Sequence, residues 1–406
     1  MAKIAILGFG TVGSGVQEIL QKNAEIIARR AQQPIEVKRI LVRKKENHTE
    51  LFTDKIDDIL NDSEITMAAE AIGGVKAAYP YVKALLQSGR SVVTSNKELV
   101  AAHGAELLAL AKQNHVAFLF EASVGGGMPL LMPIAQSLTA NHIGQISGIV
   151  NGTTNFMLTK MGRENMDFDR ALAIAQQLGY AETIDPSDDV DGLDACRKIS
   201  ILASLAFGKQ VHTANIPTRG IRAVTPFDMQ AAVKMGGSIK LIAWTKQEEN
   251  EKICAGVEPM LVPASNQLSN VDDVFNAVLA KGDMLGDALF YGRGAGKLPT
   301  ASAMVADLIN ALTQDSSVHN TMFWEPTEPE TGILTDDSPA TYYVRTRNIP
   351  ASMLPGLFGQ GELVLDTGSE AGYLVENITP KKLYEASREA KALGGSVELE
   401  LRRLED

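Results

Sequence analysis

Short apolar runs alternate with stretches of helical periodicity over the first third of the chain. Residues 3–7 (Lys-Ile-Ala-Ile-Leu) read as a fully buried strand that Gly8 ends. A helical pattern follows from Ser14 to about Arg30, and a second strand from Ile35 to Val42. Further apolar runs at Met67–Ile72, Ser91–Thr94 and Val116–Phe120 each pass into glycine or polar residues: Gly73-Gly74, Ser95-Asn96-Lys97 and Glu121. Strands alternating with helices predict an α/β fold, a Rossmann-type doubly wound parallel sheet. Ligands bind beyond the carboxyl ends of such strands, so Gly73-Gly74, Asn96-Lys97 and Glu121-Ala122 are expected to line a crevice.

From about Pro133 the pattern changes. Ile143–Val150 is strand-like, Phe168–Leu178 reads as a helix closed by Gly179, and an apolar run spans Ile199–Phe207. Residues 199–325 mix strand and helix signals, as in an α+β domain. Residues 313–340 are polar and rich in acid, Thr and Pro, which reads as a linker. The tail predicts strands at Tyr342–Arg345, Glu362–Leu365, Tyr373–Asn377 and Val397–Leu401, with a helix from Pro380 to about Leu393. The expected division is a dinucleotide-binding domain over 1–132, an α+β domain over 133–315, a linker over 316–340 and a small α/β sandwich over 341–406.

Composition narrows the function classes. A chain of 406 residues is too long for one core, and 45% hydrophobic with 21% charged residues is that of a soluble globular protein. A formal net charge of −11 and the lack of a basic stripe argue against nucleic acid. The first apolar run is too short for a signal-peptide core, and no run approaches the ~20 residues of a membrane span. Cys196 and Cys254 do not form a disulfide framework, so a reducing cytoplasm is expected. The six histidines are scattered without zinc-ligand spacing.

Gly8-Phe9-Gly10-Thr11-Val12-Gly13 is G-x-G-x-x-G between a strand and a helix, the context of a dinucleotide fingerprint. Gly8 permits the tight turn, Gly10 lets backbone approach a pyrophosphate, and Gly13 lets the helix pack on the strand. The second strand ends on Arg43-Lys44-Lys45, with the first acid at Glu46. Arg43 and Lys44 suit a 2′-phosphate, which favours NADP over NAD; the plainer reading is a solvated basic turn. Lys97 is either a surface lysine or a group beside the nicotinamide. Glu121–Pro129 (E-A-S-V-G-G-G-M-P) is either a crossover or an oxygen-ligand site for a hard cation. Tyr291–Thr300 is a second glycine cluster opening a helix toward Leu312; it is a simple loop and cap, or it faces polar cofactor atoms.

Tyr180–Lys198 packs six carboxylates (Glu182, Asp185, Asp188, Asp189, Asp191, Asp194) ahead of Arg197-Lys198. One reading is an acidic loop capping a helix, with Asp191 as N-cap. The other places Asp194 and Lys198, spaced i,i+4, on one helix face, where acids hold a cationic small molecule beside a proton-donating lysine.

Several stretches together resemble the homoserine dehydrogenases: G-F-G-T-V-G at 8–13, S-N-K-E at 95–98, E-A-S-V-G-G-G-M-P at 121–129 and D-G-L-D-A-C-R-K at 191–198, in this order. N-G-T-T-N at 151–155 and G-R-G-A-G-K-L-P-T-A-S-A at 292–303 are similar too. The resemblance covers about residues 1–315. It implies NAD(P)H-dependent interconversion of L-aspartate 4-semialdehyde and L-homoserine. It makes the middle domain catalytic and the seat of a homodimer or homotetramer. It implies Lys198 as proton donor, Lys97 as its partner near substrate and nicotinamide, and Asp194 as the residue that orients Lys198. Glu182 would bind the substrate amino group, with Asp189 and Tyr180 nearby. Glu121 and the carbonyls of Val124, Gly126 and Met128 would hold a monovalent cation, usually sodium, and Gly296 would touch the cofactor.

The chain has Thr183-Ile184 between Glu182 and Asp185, where the family usually has one residue fewer. The tail resembles an ACT regulatory domain of ferredoxin-like type, with Asn348–Gly359 in place of a full first helix. A dehydrogenase of another small amino or oxo acid, or a non-catalytic sensor of NADP or amino acids, are the competing readings. Retention of Lys97, Asp194 and Lys198 together counts against the sensor.

Overall fold

The computed structural model describes residues 1–44, 49–248, 251–328 and 336–405. Lys45 and Glu46 of the basic turn, and residues 329–335 of the polar segment, lie outside the described residues. The chain forms two compact units that do not follow sequence order. The first takes Met1–Ile146, Arg197–Asn215 and Leu279–Gly332; the second takes Ser147–Cys196, Ile216–Val278 and Ile333–Asp406.

The first unit is built on β1 (Ala2–Leu7), β2 (Ile35–Leu41), β3 (Phe52–Thr53), β4 (Ile65–Glu70), β5 (Ser91–Thr94) and β6 (Phe118–Leu119), in the order β3-β2-β1-β4-β5-β6. Every pairing is parallel. This is the dinucleotide-binding order, with its reversal between β1 and β4. A parallel sheet is covered on both faces, which is why Ile4, Ile6, Leu7, Val92 and Val93 are all fully buried.

The single helix expected to about Arg30 is two, Thr11–Lys22 and Ala24–Arg30, because Asn23 at φ −109°, ψ 22° leaves the helical region. Thr11–Lys22 packs on Lys297–Thr313 at Gly15, where a Cβ would lie 3.0 Å from both the Ala301 Cβ and the Lys297 carbonyl oxygen.

The polar stretch read as a linker is anchored in this unit as far as Thr327. Trp324 is fully buried and donates its indole N–H to Gln210 Oε1 at 2.8 Å. Its ring covers Gly104, where a Cβ would come within 2.2 Å of it, and meets Phe120 edge-on at 5.6 Å. Thr327 Oγ1 donates to the Gln210 carbonyl at 2.7 Å. One large aromatic with its N–H satisfied outweighs the polar composition around it.

The second unit is built on a mixed sheet. Its strands are β7 (Ile143–Ile149), β8 (Gly237–Gln247), β9 (Ile253–Pro263), β10 (Phe275–Gly282), β12 (Ala340–Arg347), β13 (Gly361–Asp366), β14 (Glu370–Ile378) and β15 (Ser396–Arg403). The order is β10-β7-β8-β9-β15-β12-β14-β13, and β10 runs on into a hairpin with β11 (Gly286–Arg293) in the first unit. The tail strands are antiparallel to one another and carry the helix Pro380–Ala392. The Asn348–Gly359 stretch holds only Ala351–Met353 and Leu354–Phe358, two short turns. The last strand pairs in parallel with β9, Arg402 opposite Met260 and Arg403 opposite Leu261, so tail and middle segment share one sheet. Among the described residues no helix is long and apolar enough to cross a membrane.

Candidate active site

The glycine fingerprint sits at the carboxyl end of β1. Gly8 has φ +90°, and a Cβ on Gly13 would lie 2.0 Å from the Gly8 carbonyl oxygen, so neither position admits a side chain without moving backbone. Gly10 immediately precedes the helix Thr11–Lys22 and nothing lies within 4 Å of where its Cβ would be. That leaves open backbone at a helix N-terminus, the arrangement that receives a pyrophosphate. Thr11 and Val12 open the helix, and Phe9 packs edge-on against Phe52 at 5.2 Å. The Gly8 N–H donates to the Leu41 carbonyl at 2.9 Å, which places exposed Arg43 and Lys44 just beyond the same sheet edge.

Glu70, at the end of β4, organises the rest of this edge. It is fully buried and accepts from the Ile72 N–H at 2.7 Å and from Thr94 Oγ1 at 2.5 Å. Burial pushes its pKa up, against the pull of these hydrogen bonds. Asn96 caps the next helix, accepting from the Leu99 N–H at 3.1 Å and donating to the Gly74 carbonyl at 3.0 Å. Lys97 is therefore the first residue of the helix Lys97–Gln113, at the carboxyl end of β5. Its neighbour Glu98 lies 3.6 Å from Arg197, the residue before buried Lys198 on the helix Leu193–Phe207. The two lysine-bearing segments are thus adjacent in the first unit.

The Glu121 carboxylate accepts three backbone N–H bonds, from Leu130 (2.5 Å), Leu131 (2.9 Å) and Met132 (2.7 Å). It works as a clamp on its own loop, and burial pushes its pKa up against those bonds. Between clamp and anchor, Gly125 and Gly126 have positive φ, and a Cβ on Gly126 would lie 2.5 Å from the Gly294 carbonyl oxygen. The carbonyls of Val124, Gly126 and Met128 accept no hydrogen bond from the described residues. Backbone carbonyls on a tight glycine turn are oxygen donors of the type a hard cation takes. Gly296, at φ +126°, precedes the helix Lys297–Thr313 on the other side of this loop.

The acidic segment belongs to the second unit up to Cys196. Asp191 is not the N-cap expected of it. The helix starts at Leu193, and the Cys196 N–H reaches the Gly192 carbonyl at 2.9 Å, so Gly192, with φ +83°, holds the cap position. Asp191 ends the short helix Ser187–Val190 and pairs with Arg222 at 2.6 Å instead. Asn151, just ahead of the helix Gly152–Glu164, accepts from the Thr154 N–H at 2.8 Å. Its amide donates to Asp189 Oδ1 at 2.7 Å and to buried Asp194 Oδ2 at 2.9 Å. Tyr180, 43% exposed, meets Phe156 edge-on at 5.2 Å, and its carbonyl accepts from Thr153 Oγ1 at 2.8 Å. Tyr180, Asp189 and Asp194 therefore gather at one helix end. Glu182 has an exposed side chain and is held through its carbonyl by Gln176 Nε2 at 2.9 Å.

Asn151 and Glu70 were not singled out from the sequence. The Asn-Gly-Thr-Thr stretch after a strand signals a capped helix. No local pattern signals that the capping amide also reaches Asp189 and Asp194.

Residues 8–121 match the family described as homoserine dehydrogenase, NAD binding domain, and residues 129–309 match homoserine dehydrogenase. The chain is 41% identical over 316 residues to a homoserine dehydrogenase of Bacillus subtilis, covering 76% of this chain and 72% of that one. It is 39% identical over 393 residues to that of Pseudomonas aeruginosa, covering 94% and 89%. The chain belongs to the homoserine dehydrogenase family. A crystal structure of a homoserine dehydrogenase from Thiobacillus denitrificans is similar over 100% of this chain and 98% of that one, with TM-score 0.90 and 34% identity. A hyperthermophilic archaeal homoserine dehydrogenase in complex with NADPH covers 76% of this chain and 97% of its own, with TM-score 0.65 and 28% identity. Residues 8–121 of the first unit are accordingly an NAD-binding domain, as a homoserine dehydrogenase that works with a nicotinamide cofactor requires.

Proposed function

We propose that this NAD(P)-dependent homoserine dehydrogenase prefers NADP and uses Lys198 as its general acid. The observation that carries the reading is the joint placement of Lys198 and Asp194 on one buried helix turn, with Asp194 fixed by Asn151. Bound in the glycine crevice, the cofactor supplies or accepts the hydride. In the reductive direction, hydride addition to the aldehyde carbon of L-aspartate 4-semialdehyde sends the carbonyl electron pair to oxygen. The Lys198 ammonium stabilises that developing alkoxide and gives it a proton, leaving L-homoserine and a neutral amine. Oxidation runs the same proton back to Lys198. Lys97 adds positive charge beside the reacting oxygen and favours proton release from its neighbour.

Asp194 orients Lys198. Glu182 and Asp189, with Tyr180, take the substrate ammonium. Arg43 and Lys44 contact the 2′-phosphate. The loop from Glu121 to Met128 holds sodium or another monovalent cation, which stiffens the turn beside Gly294–Gly296. The working enzyme is a cytoplasmic homodimer or homotetramer.

The test is reduction of NADP⁺ and NAD⁺ by L-homoserine, with 4-hydroxybutyrate as a substrate lacking the amino group. L-Homoserine should be turned over and 4-hydroxybutyrate should not. The Arg43→Ala variant should lower the ratio of NADP to NAD efficiency by about tenfold, the scale of one charge-assisted contact. An unchanged ratio contradicts the 2′-phosphate role.

A further inference from the structure

The helices Lys97–Gln113 and Leu193–Phe207 carry the two lysines of the proposed mechanism, and a side chain outside both joins them. Gln210 follows the second helix and is buried. Its Nε2 donates to the Ala101 carbonyl at 3.0 Å, one turn past Lys97. Its Oε1 accepts the indole N–H of fully buried Trp324 at 2.8 Å.

The main chain of Gln210 is engaged as well. Its N–H donates to the Glu325 carbonyl at 2.8 Å, and its carbonyl accepts from Thr327 Oγ1 at 2.7 Å. The next residue ties back onto the Lys198 helix. The Val211 carbonyl accepts from Ser200 Oγ at 2.5 Å, and the Val211 N–H donates to Ser204 Oγ at 2.9 Å. Ser200 and Ser204 are fully buried. A path of buried hydrogen bonds therefore runs from Ser200, just past Lys198, through Val211 and Gln210 to Ala101, just past Lys97.

Another tie between these helices is weaker. Arg197 and Glu98 lie 3.6 Å apart, with side chains 24% and 33% exposed. An ion pair that water reaches contributes little. A buried amide is different, because breaking its bonds leaves donors and acceptors with no water to replace them. The spacing of the two helices is thus set at Gln210 rather than at the ion pair.

We propose that Gln210 is a positioning residue for the reaction: its amide fixes the Lys97 helix against the Lys198 helix and so holds the Lys198 ammonium at the reacting oxygen. This role rests on Lys198 as the general acid. A reacting group displaced by about 1 Å can cost on the order of a hundredfold in rate, so a brace remote from the substrate matters to the chemical step.

The test is single-turnover oxidation of NADPH by L-aspartate 4-semialdehyde in Gln210→Met, whose side chain keeps the length and drops both amide bonds. The oxidation step should slow by about tenfold or more, with NADPH affinity by fluorescence titration unchanged. Gln210→Asn, which withdraws the amide from Ala101 by one methylene, should slow the step in the same direction and serves if the Met variant fails to fold. Ile59→Val trims a fully buried residue of the same unit outside this brace. It should lower the unfolding midpoint and leave the step at the wild-type rate, which separates positioning from lost stability. Introduced into Lys198→Ala, Gln210→Met should have little further effect, because residues that act as one unit are not additive. A wild-type rate in the folded Gln210 variants, slowing in Ile59→Val to the same degree, or equal slowing by Gln210→Met with and without Lys198 would overturn the role of Gln210 and leave the general acid standing. A wild-type rate in Lys198→Ala alone would remove the general acid, and the role of Gln210 with it.

Discussion

Lys198→Ala is expected to lower turnover of L-homoserine more than a hundredfold while leaving cofactor affinity close to that of the wild type. General acid–base catalysis contributes about 10²–10⁴-fold, and on the proposed mechanism Lys198→Ala removes the group that both stabilises the alkoxide and protonates it, forfeiting that range. On the proposed mechanism the ammonium works from a buried helix whose first turn is held in place. Lys198 is 8% exposed, and Asp194 one turn earlier is 4% exposed and bound to the Asn151 amide. The glycine turn at residues 8–13 belongs to a different element from the helix Leu193–Phe207, so the variant should still bind NADPH. Steady-state kinetics with a separate NADPH fluorescence titration resolve the two effects. A rise in KM with unchanged turnover would assign Lys198 to binding instead.

Arg345→Ala is expected to destabilise the second unit by about 3–5 kcal/mol, the cost of stranding a buried charge. Arg345 on β12 is 3% exposed, and its Nε donates to fully buried Asp228 at 2.9 Å. Asp228 is also bound by the Thr225 N–H at 2.8 Å and by Tyr343 Oη at 3.0 Å. Burial raises the Asp228 pKa, opposed first by the charge of Arg345. The remaining Arg345 donors reach Glu370 at 3.0 Å and the Ala223 carbonyl at 2.9 Å. Denaturant unfolding checks the loss. A double variant, Asp228→Asn with Arg345→Met, removes both charges, lets the amide oxygen accept from the Thr225 N–H while the amide N–H donates to the Tyr343 hydroxyl, and should recover most of it. Equal destabilisation in single and double variants would show that packing, rather than the stranded charge, sets the cost.

The first unit was the most legible part of the chain. Its strands are short apolar runs because a parallel sheet is buried on both faces, and each ends on the residues that line the crevice. Where prediction missed, distance along the chain or a single residue was the cause. Asn23 breaks a helix whose apolar periodicity continues across it. Gly192 takes the cap from Asp191, since the turn before Leu193 requires a positive φ. Trp324 anchors a stretch whose composition is that of a linker. The parallel pairing of β15 with β9 joins residues more than a hundred positions apart and leaves no local mark. The same holds in the site, where Asn151 reaches Asp189 and Asp194 across 38 and 43 positions. Lys97, Lys198 and the acids were visible as residue types in motifs, whereas the amide that fixes Asp194 was visible only as a cap.

The assignment of the proton to Lys198 is tested most directly by rapid mixing of NADPH-loaded protein with L-aspartate 4-semialdehyde, following loss of NADPH absorbance in a single turnover. In Lys198→Ala the amplitude of NADPH binding should match the wild type and the oxidation step should slow by more than about a hundredfold. Oxidation at the wild-type rate in that variant would contradict the account.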